Sequence, residues 1–174
     1  MTVEVFVEIP NGSRNKYEWD HHSGGFRLDR MLFSSVHYPG DYGFIPNTWS
    51  GDNDPLDALV LLGEPTFPGC TITGRVVGVF DMTDDKGRDA KIITVADADP
   101  RWAQVGDLKD LPPHVLDEVQ HFFSVYKDLE RKRVTVEGFR DRAAALAQIE
   151  EDIQRFASLD RRPLMPGDAG ITRA

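Results

Sequence analysis

Residues 71–82, Thr-Ile-Thr-Gly-Arg-Val-Val-Gly-Val-Phe-Asp-Met, and residues 90–96, Ala-Lys-Ile-Ile-Thr-Val-Ala, constrain the fold most strongly. Both runs are apolar and β-branched, and the polar residues 83–89 join them as a hairpin loop. Gly74 and Gly78 interrupt the first run, which predicts a bulge or bend of the kind that closes a sheet on itself. Shorter strands lie upstream. Residues 3–10 alternate and stop at Pro10, residues 16–20 alternate after the turn at Asn11-Gly12-Ser13, and residues 26–30 form a third run. Short strands at this spacing predict a small closed β-barrel. Residues 38–46, rich in Pro, Gly and aromatics, read as an ordered loop that carries rings into a site or core.

The pattern changes beyond residue 110. Val115, Val119, Phe122, Phe123 and Tyr126 recur at helical spacing after Pro112-Pro113. A second helix follows Asp141, with Leu146, Ile149, Ile153 and Phe156 as its apolar stripe. The expected fold is therefore α+β, mainly β: a barrel with two flanking helices in a single domain over residues 1–160. Residues 161–174, with prolines, glycines and little periodicity, read as a loose tail.

The formal net charge is -9, from 29 acidic and 20 basic residues. That balance argues against a general nucleic-acid or anionic-membrane surface, either of which needs a basic face. It leaves room for a small anionic substrate where Lys, Arg and bound cations reverse the local potential. Cys70 is the single cysteine, so no internal disulfide forms, and it reads as core or near-core. The first residues lack the pattern of a secretion signal and no run is long enough to span a bilayer, so the cytoplasm is the expected location.

Chemistry concentrates at Asp52-Asn53-Asp54-Pro55-Leu56-Asp57, followed at once by the apolar run Ala58 to Leu62. Asp and Pro are poor strand formers, so the acids belong on a turn at the mouth of a buried strand. Two readings stand at this point: a solvated acidic turn, or carboxylates whose mutual repulsion is relieved by hard cations such as Mg²⁺. An EF-hand is excluded, because its third acidic position falls on Leu56 and its glycine position on Asp57. A second cluster, Asp84, Asp85 and Asp89, lies in the hairpin with Lys91 two residues beyond. On residues 16–20, Lys16 and Glu18 share a strand face. Together with Arg30 and Lys127, these residues supply what metal-assisted phosphoryl transfer requires: carboxylates for cations, and cations for phosphate oxygens. His21-His22, with no further ligand nearby in sequence, reads as part of a solvated turn.

Asp52-Asn53-Asp54-Pro55-Leu56-Asp57-Ala58 resembles the signature of the family I soluble inorganic pyrophosphatases. Val7-Glu8-Ile9-Pro10, Lys16-Tyr17-Glu18, Leu28-Asp29-Arg30, Tyr38-Pro39, Tyr42-Gly43, the segment Asp84 to Lys91, Phe122-Phe123 and Tyr126 to Glu130 follow in the family's order. The resemblance implies a five-stranded, OB-like closed barrel with flanking helices, and hydrolysis of pyrophosphate to two orthophosphates without a covalent intermediate. It implies several Mg²⁺ per site, with Mn²⁺ as a substitute. Asp52, Asp57 and Asp89 resemble the ligands of the tightest ion, Asp57 serving a second, and Asp84 with Asp89 one that arrives with substrate. Glu8 and Glu18 match acids at the rim that reach metal through water. Asp54 resembles the general base. Lys16, Arg30, Lys91, Tyr126 and Lys127 match groups that hold phosphate oxygens, and Tyr42 the phenol bonded to the central carboxylates. Bacterial members of this size imply a homohexamer. Two rivals remain: a hydrolase of nucleoside triphosphates or polyphosphate, for which no P-loop is present, and a non-catalytic OB-type binding module, which leaves both Asp clusters unexplained.

Overall fold

The computed structural model describes residues 1–167. Its strands are β1 (Thr2–Ile9), β2 (Asn15–Asp20), β3 (Gly25–Met31), β4 (Asp41–Phe44), β5 (Asp57–Leu61), β6 (Thr71–Asp84), β7 (Gly87–Ala96) and β8 (Thr135–Arg140); its helices are α1 (Pro113–Val125) and α2 (Arg142–Ala157). The main sheet runs β1-β4-β5-β7-β6-β8, and β1 also pairs with β6, so five strands close into a ring with β8 added outside. The register of β6 against β7 slips between Val76 and Gly78, the bulge expected from the glycines. At Gly78 the missing side chain is filled by Leu108, whose Cγ would lie 2.3 Å from a Cβ placed there.

The ring is buried on both faces, which is why β5 reads as an unbroken apolar run. Leu59 and Leu61 join Ile93, Val95 and Phe80 under Phe122 and Phe123 of α1. Ala58 and Val60 point the other way, joining Ile92 and Val76 under Ala145 and Ile149 of α2. The chain enters α2 through Asp141, whose side chain accepts from the Ala144 amide. No helix among the described residues is long and apolar enough to cross a membrane.

Three sequence expectations are corrected. Residues 41–44 form a strand of the ring rather than a loop; all four residues are buried, so no alternation marks them. The loop between β6 and β7 shrinks to Asp85-Lys86, because the strands continue to Asp84 and from Gly87. Within the stretch expected as a loose tail, the Leu164 amide donates to the His21 carbonyl at 3.0 Å, and Met165 is buried beside Phe6, Phe44 and Phe156. An apolar side chain placed against an aromatic cluster outweighs weak local periodicity. The rest of that tail, residues 168–174, lies outside the described residues.

Gly43 of β4 stands opposite Val7 of β1, and a Cβ there would sit 1.9 Å from the Phe6 carbonyl oxygen and 2.9 Å from the Glu8 amide nitrogen. Gly43→Ala must force the two strands apart. The expected loss is about 1–3 kcal/mol, read as a lower thermal midpoint; an unchanged midpoint would refute so close an approach of β1 and β4.

Candidate active site

Strand register assembles the centre of the site. In the parallel pair β5–β7, Asp57 lies beside Lys91, and Asp89 is two residues before Lys91 on the same strand face. Tyr42 on β4 pairs with Leu59, so Asp57 is its diagonal neighbour across β5. The contacts follow. Lys91 Nζ donates at 2.8 Å to each of Asp57 Oδ2, Asp89 Oδ1 and the Tyr42 hydroxyl, and the Tyr42 hydroxyl donates to Asp57 Oδ2. Lys91 is 1% exposed. Burial alone would lower its ammonium, yet Asp57 and Asp89 hold it well above the ordinary lysine range. Its three N–H donors are all engaged, so the phosphate-holding role implied by resemblance requires one of these bonds to open.

The other acids arrive from separate elements. Glu8 falls where the register of β1 against β4 slips between Val7 and Ile9, and its Oε1 accepts from the Trp19 amide at 2.7 Å. A bulge of this kind re-aims a side chain, here into the cleft. Asp52 and Asp54 sit on the turn between β4 and β5, where the Ser50 amide donates to the Asp54 carbonyl at 2.7 Å and Asn53 adopts φ +66°. Burial, with the charge of Asp57 adding to it, pushes the carboxyls of Glu8 up to about 8, Asp52 to about 6 and Asp54 to about 7. Asp89 is also raised, by burial and against the pull of Lys91.

The cavity also holds cations, each paired with acids. β2 and β3 pair Lys16 directly with Arg30, an unfavourable contact that acids offset. Lys16 contacts Glu18 and lies 3.6 Å from Asp29; Arg30 contacts Asp29, and its Nε donates to Glu130 at 2.8 Å. Lys127, just past α1, donates to Asp84 at 2.7 Å. Burial would raise the Asp84 carboxyl, but this bond and the Lys86 amide carry it below its ordinary range. Tyr126 caps α1 and is 4% exposed; burial raises its phenol.

All the residues singled out from the sequence, from Glu8 through Lys127, line one cavity of about 810 Å³. Among the described residues no group of three or more His, Cys, Asp or Glu side chains is arranged to hold a metal ion, and Lys91 Nζ sits between Asp57 and Asp89. Two observations nevertheless fit a cation: Asp52 Oδ1 is buried with no hydrogen-bond partner among the described residues, and burial together with neighbouring carboxylates raises the Asp52 and Asp54 carboxyls. Hard oxygen donors of this kind suit Mg²⁺.

Sequence reasoning passed over three contributors. Asp29 and Glu130 orient Arg30, and they lie inside the segments Leu28-Asp29-Arg30 and Tyr126 to Glu130. His21 is not in a solvated turn: its side chain is 16% exposed, its Nδ1 lies 2.8 Å from the Leu164 carbonyl, its ring packs on Phe44, and Nε2 stands 4.0 Å from Asp54 Oδ1. Only the fold brings residue 164 there, so no local signal marks it. His22 is exposed.

The family model for inorganic pyrophosphatase matches residues 5–157. An inorganic pyrophosphatase of Methanosarcina mazei is 54% identical over 152 residues, 87% of this chain and 90% of that protein. One from Streptomyces coelicolor is 52% identical over 158 residues, 90% of this chain and 96% of that protein. The crystal structure of the Thermus thermophilus inorganic pyrophosphatase superimposes with a TM-score of 0.88 at 48% identity, covering 90% of this chain and 92% of that one. With a match that runs from β1 to the end of α2, this chain belongs to the inorganic pyrophosphatase family.

Proposed function

We propose that the cleft carries out the family's reaction, hydrolysis of inorganic pyrophosphate to two orthophosphates, with Asp54 as general base and Mg²⁺ as the cation. The observation that carries this reading is that Asp52, Asp57 and Asp89 line one cavity together with the cations Lys16, Arg30 and Lys127. Asp52, Asp57 and Asp89 would hold the first ion, Asp57 would share a second, and Asp84 with Asp89 would take one bound with substrate. Glu8 and Glu18 would reach these ions through water. When bound, Mg²⁺ supplies positive charge between a polyanion and its nucleophile and acidifies the attacking water.

The chain's own groups do the rest. Asp54 faces the cleft with 61% of its side chain exposed and, among the described residues, forms no bond to Lys or Arg that would tie up its lone pairs. Desolvation by the cleft walls, with the charges of Asp57 and Asp52, raises its carboxyl above the ordinary range, the direction that suits a proton acceptor near neutral pH. Arg30, Lys16, Tyr126 and Lys127 would grip the phosphate oxygens and stabilise charge on the leaving phosphate. Lys91 and Tyr42 would join them by giving up one of their mutual or carboxylate contacts. No Ser-His or Cys-His pair is required, since water attacks phosphorus directly.

Phosphate release from pyrophosphate, followed with Mg²⁺, with Mn²⁺ and with EDTA, and with ATP as comparison, tests the assignment. Release that needs Mg²⁺, is partly supported by Mn²⁺ and favours pyrophosphate over ATP is expected; EDTA-resistant release would overturn the metal assignment. Resemblance to bacterial members of this size supports a cytoplasmic homohexamer, and a monomer by light scattering would refute the assembly.

A further inference from the structure

We propose that Asp152, on α2 and outside the cleft, is a positioning residue that fixes the Asp52–Asp54 turn through Ser50; this rests on the functional reading above. Asp152 is 0% exposed, a costly place for a carboxylate on a helix face otherwise filled by Ile149 and Phe156. Among the described residues, its bonds outside α2 run to the chain leading into the turn. Its Oδ2 accepts from the Ser50 hydroxyl at 2.5 Å, and its main-chain carbonyl accepts from the Trp49 amide at 2.9 Å. Gln148, one turn earlier on α2, donates its amide nitrogen to both carboxylate oxygens at 3.2 Å, so the carboxylate's orientation is itself fixed.

Ser50 then closes the turn. Its amide donates to the Asp54 carbonyl at 2.7 Å, and its carbonyl accepts from the Asn53 amide at 3.2 Å. Asp52 and Asp54 lie inside that closed loop. Arg155 supports it from the same helix, lying against Gly51 so closely that a Cβ there would be 3.2 Å from its Nη1. The far end is held separately, by the Thr48 hydroxyl, which donates to the Ile45 carbonyl and accepts from the Leu56 amide. Remove the Asp152 carboxylate and the turn loses the side-chain bond that holds Ser50, while the Trp49 main-chain bond and the Thr48 anchor remain. Asp52 and Asp54 would then sample positions that miss the cation and the water, although Asp152 touches neither.

Burial raises the Asp152 carboxyl above its ordinary range, with the Ser50 and Gln148 bonds opposing. What the turn uses is the accepted hydrogen bond, and Asn can supply it if Gln148 turns its amide over. The informative variants of the full chain are therefore Asp152→Ala, Asp152→Asn and Ser50→Ala. Each is read by amide hydrogen exchange of residues 49–54 without added cation, by calorimetric titration with Mg²⁺, by kcat and KM for pyrophosphate, and by thermal melting.

Asp152→Ala and Ser50→Ala are expected to speed exchange at Ser50 and Asn53 and to weaken Mg²⁺ binding and kcat by about 10- to 100-fold, the usual effect of losing an outer-shell partner. KM should change little. Asp152→Asn should stay near wild type, and the double Ala variant should add nothing to either single one. A variant that melts lower yet keeps wild-type exchange, Mg²⁺ affinity and kcat well below its midpoint would overturn the proposal, as would Asn behaving like Ala. If Asp152→Ala does not fold, Ser50→Ala, which removes one hydroxyl, decides the question alone. A wild-type protein without phosphate release would refute the functional reading, while the exchange arm would still decide the role of Asp152.

Discussion

Asp54→Asn is expected to fold as wild type does and to lose activity by about 10²–10⁴-fold in kcat, the range for removing a general base. Among the described residues the carboxylate makes no ion pair with Lys or Arg, and His21 Nε2 stands 4.0 Å from its Oδ1. The amide is nearly isosteric and also relieves repulsion from Asp57 and Asp52, so melting should hold or rise slightly. What it cannot do is accept a proton near neutral pH. Asp52→Asn is the control: it should weaken Mg²⁺ binding, a defect that excess cation partly restores, whereas excess cation should not rescue Asp54→Asn. Equal rescue of both variants would assign Asp54 to the metal ligands instead.

Lys91→Met is expected to be the most damaging single change to stability, costing about 3–5 kcal/mol in metal-free buffer, as when one partner of a buried ion pair is deleted. Met fills much of the same volume, so packing against Phe123 and Tyr42 is largely kept. The loss is electrostatic: Asp57 and Asp89 face each other without a cation, and the Tyr42 hydroxyl loses a donor. Because Mg²⁺ is proposed to bind those same carboxylates, millimolar Mg²⁺ should restore part of the lost midpoint. Denaturant unfolding with and without Mg²⁺ measures this. A deficit that Mg²⁺ leaves untouched would separate the Lys91 contacts from the cation site.

The barrel and both helices were legible because their periodicities are local. β5, β6 and β7 carry continuous apolar runs, and α1 and α2 carry stripes at helical spacing. β4 was not, since Asp41 and Gly43 disfavour strand locally and only its neighbours β1 and β5 impose the conformation. β8 was missed for a related reason: it is a half-buried edge strand with Gly138 at φ +102°, held by β6 alone. Chemical residues packed into short motifs could be picked out by resemblance. Those that act from a distance could not: Glu130 reaches Arg30 across 100 residues and Asp152 reaches Ser50 across 102. No spacing rule links such pairs before the fold exists.

The parallel pairing of β5 with β7 has a consequence for how the protein matures. Lys91 and Asp57 are 34 residues apart, and the long β6 must be laid down and turned back before they can meet. Contacts so distant along the chain carry a large loop-closure cost and form slowly. A nascent chain emerging only through Leu61 would hold the whole Asp52–Asp57 signature but not Lys91, the cation that pairs with Asp57. Hydrolytic competence in a refolding experiment should therefore lag the far-ultraviolet signal of the strands, and its appearance would time the closure of the ring.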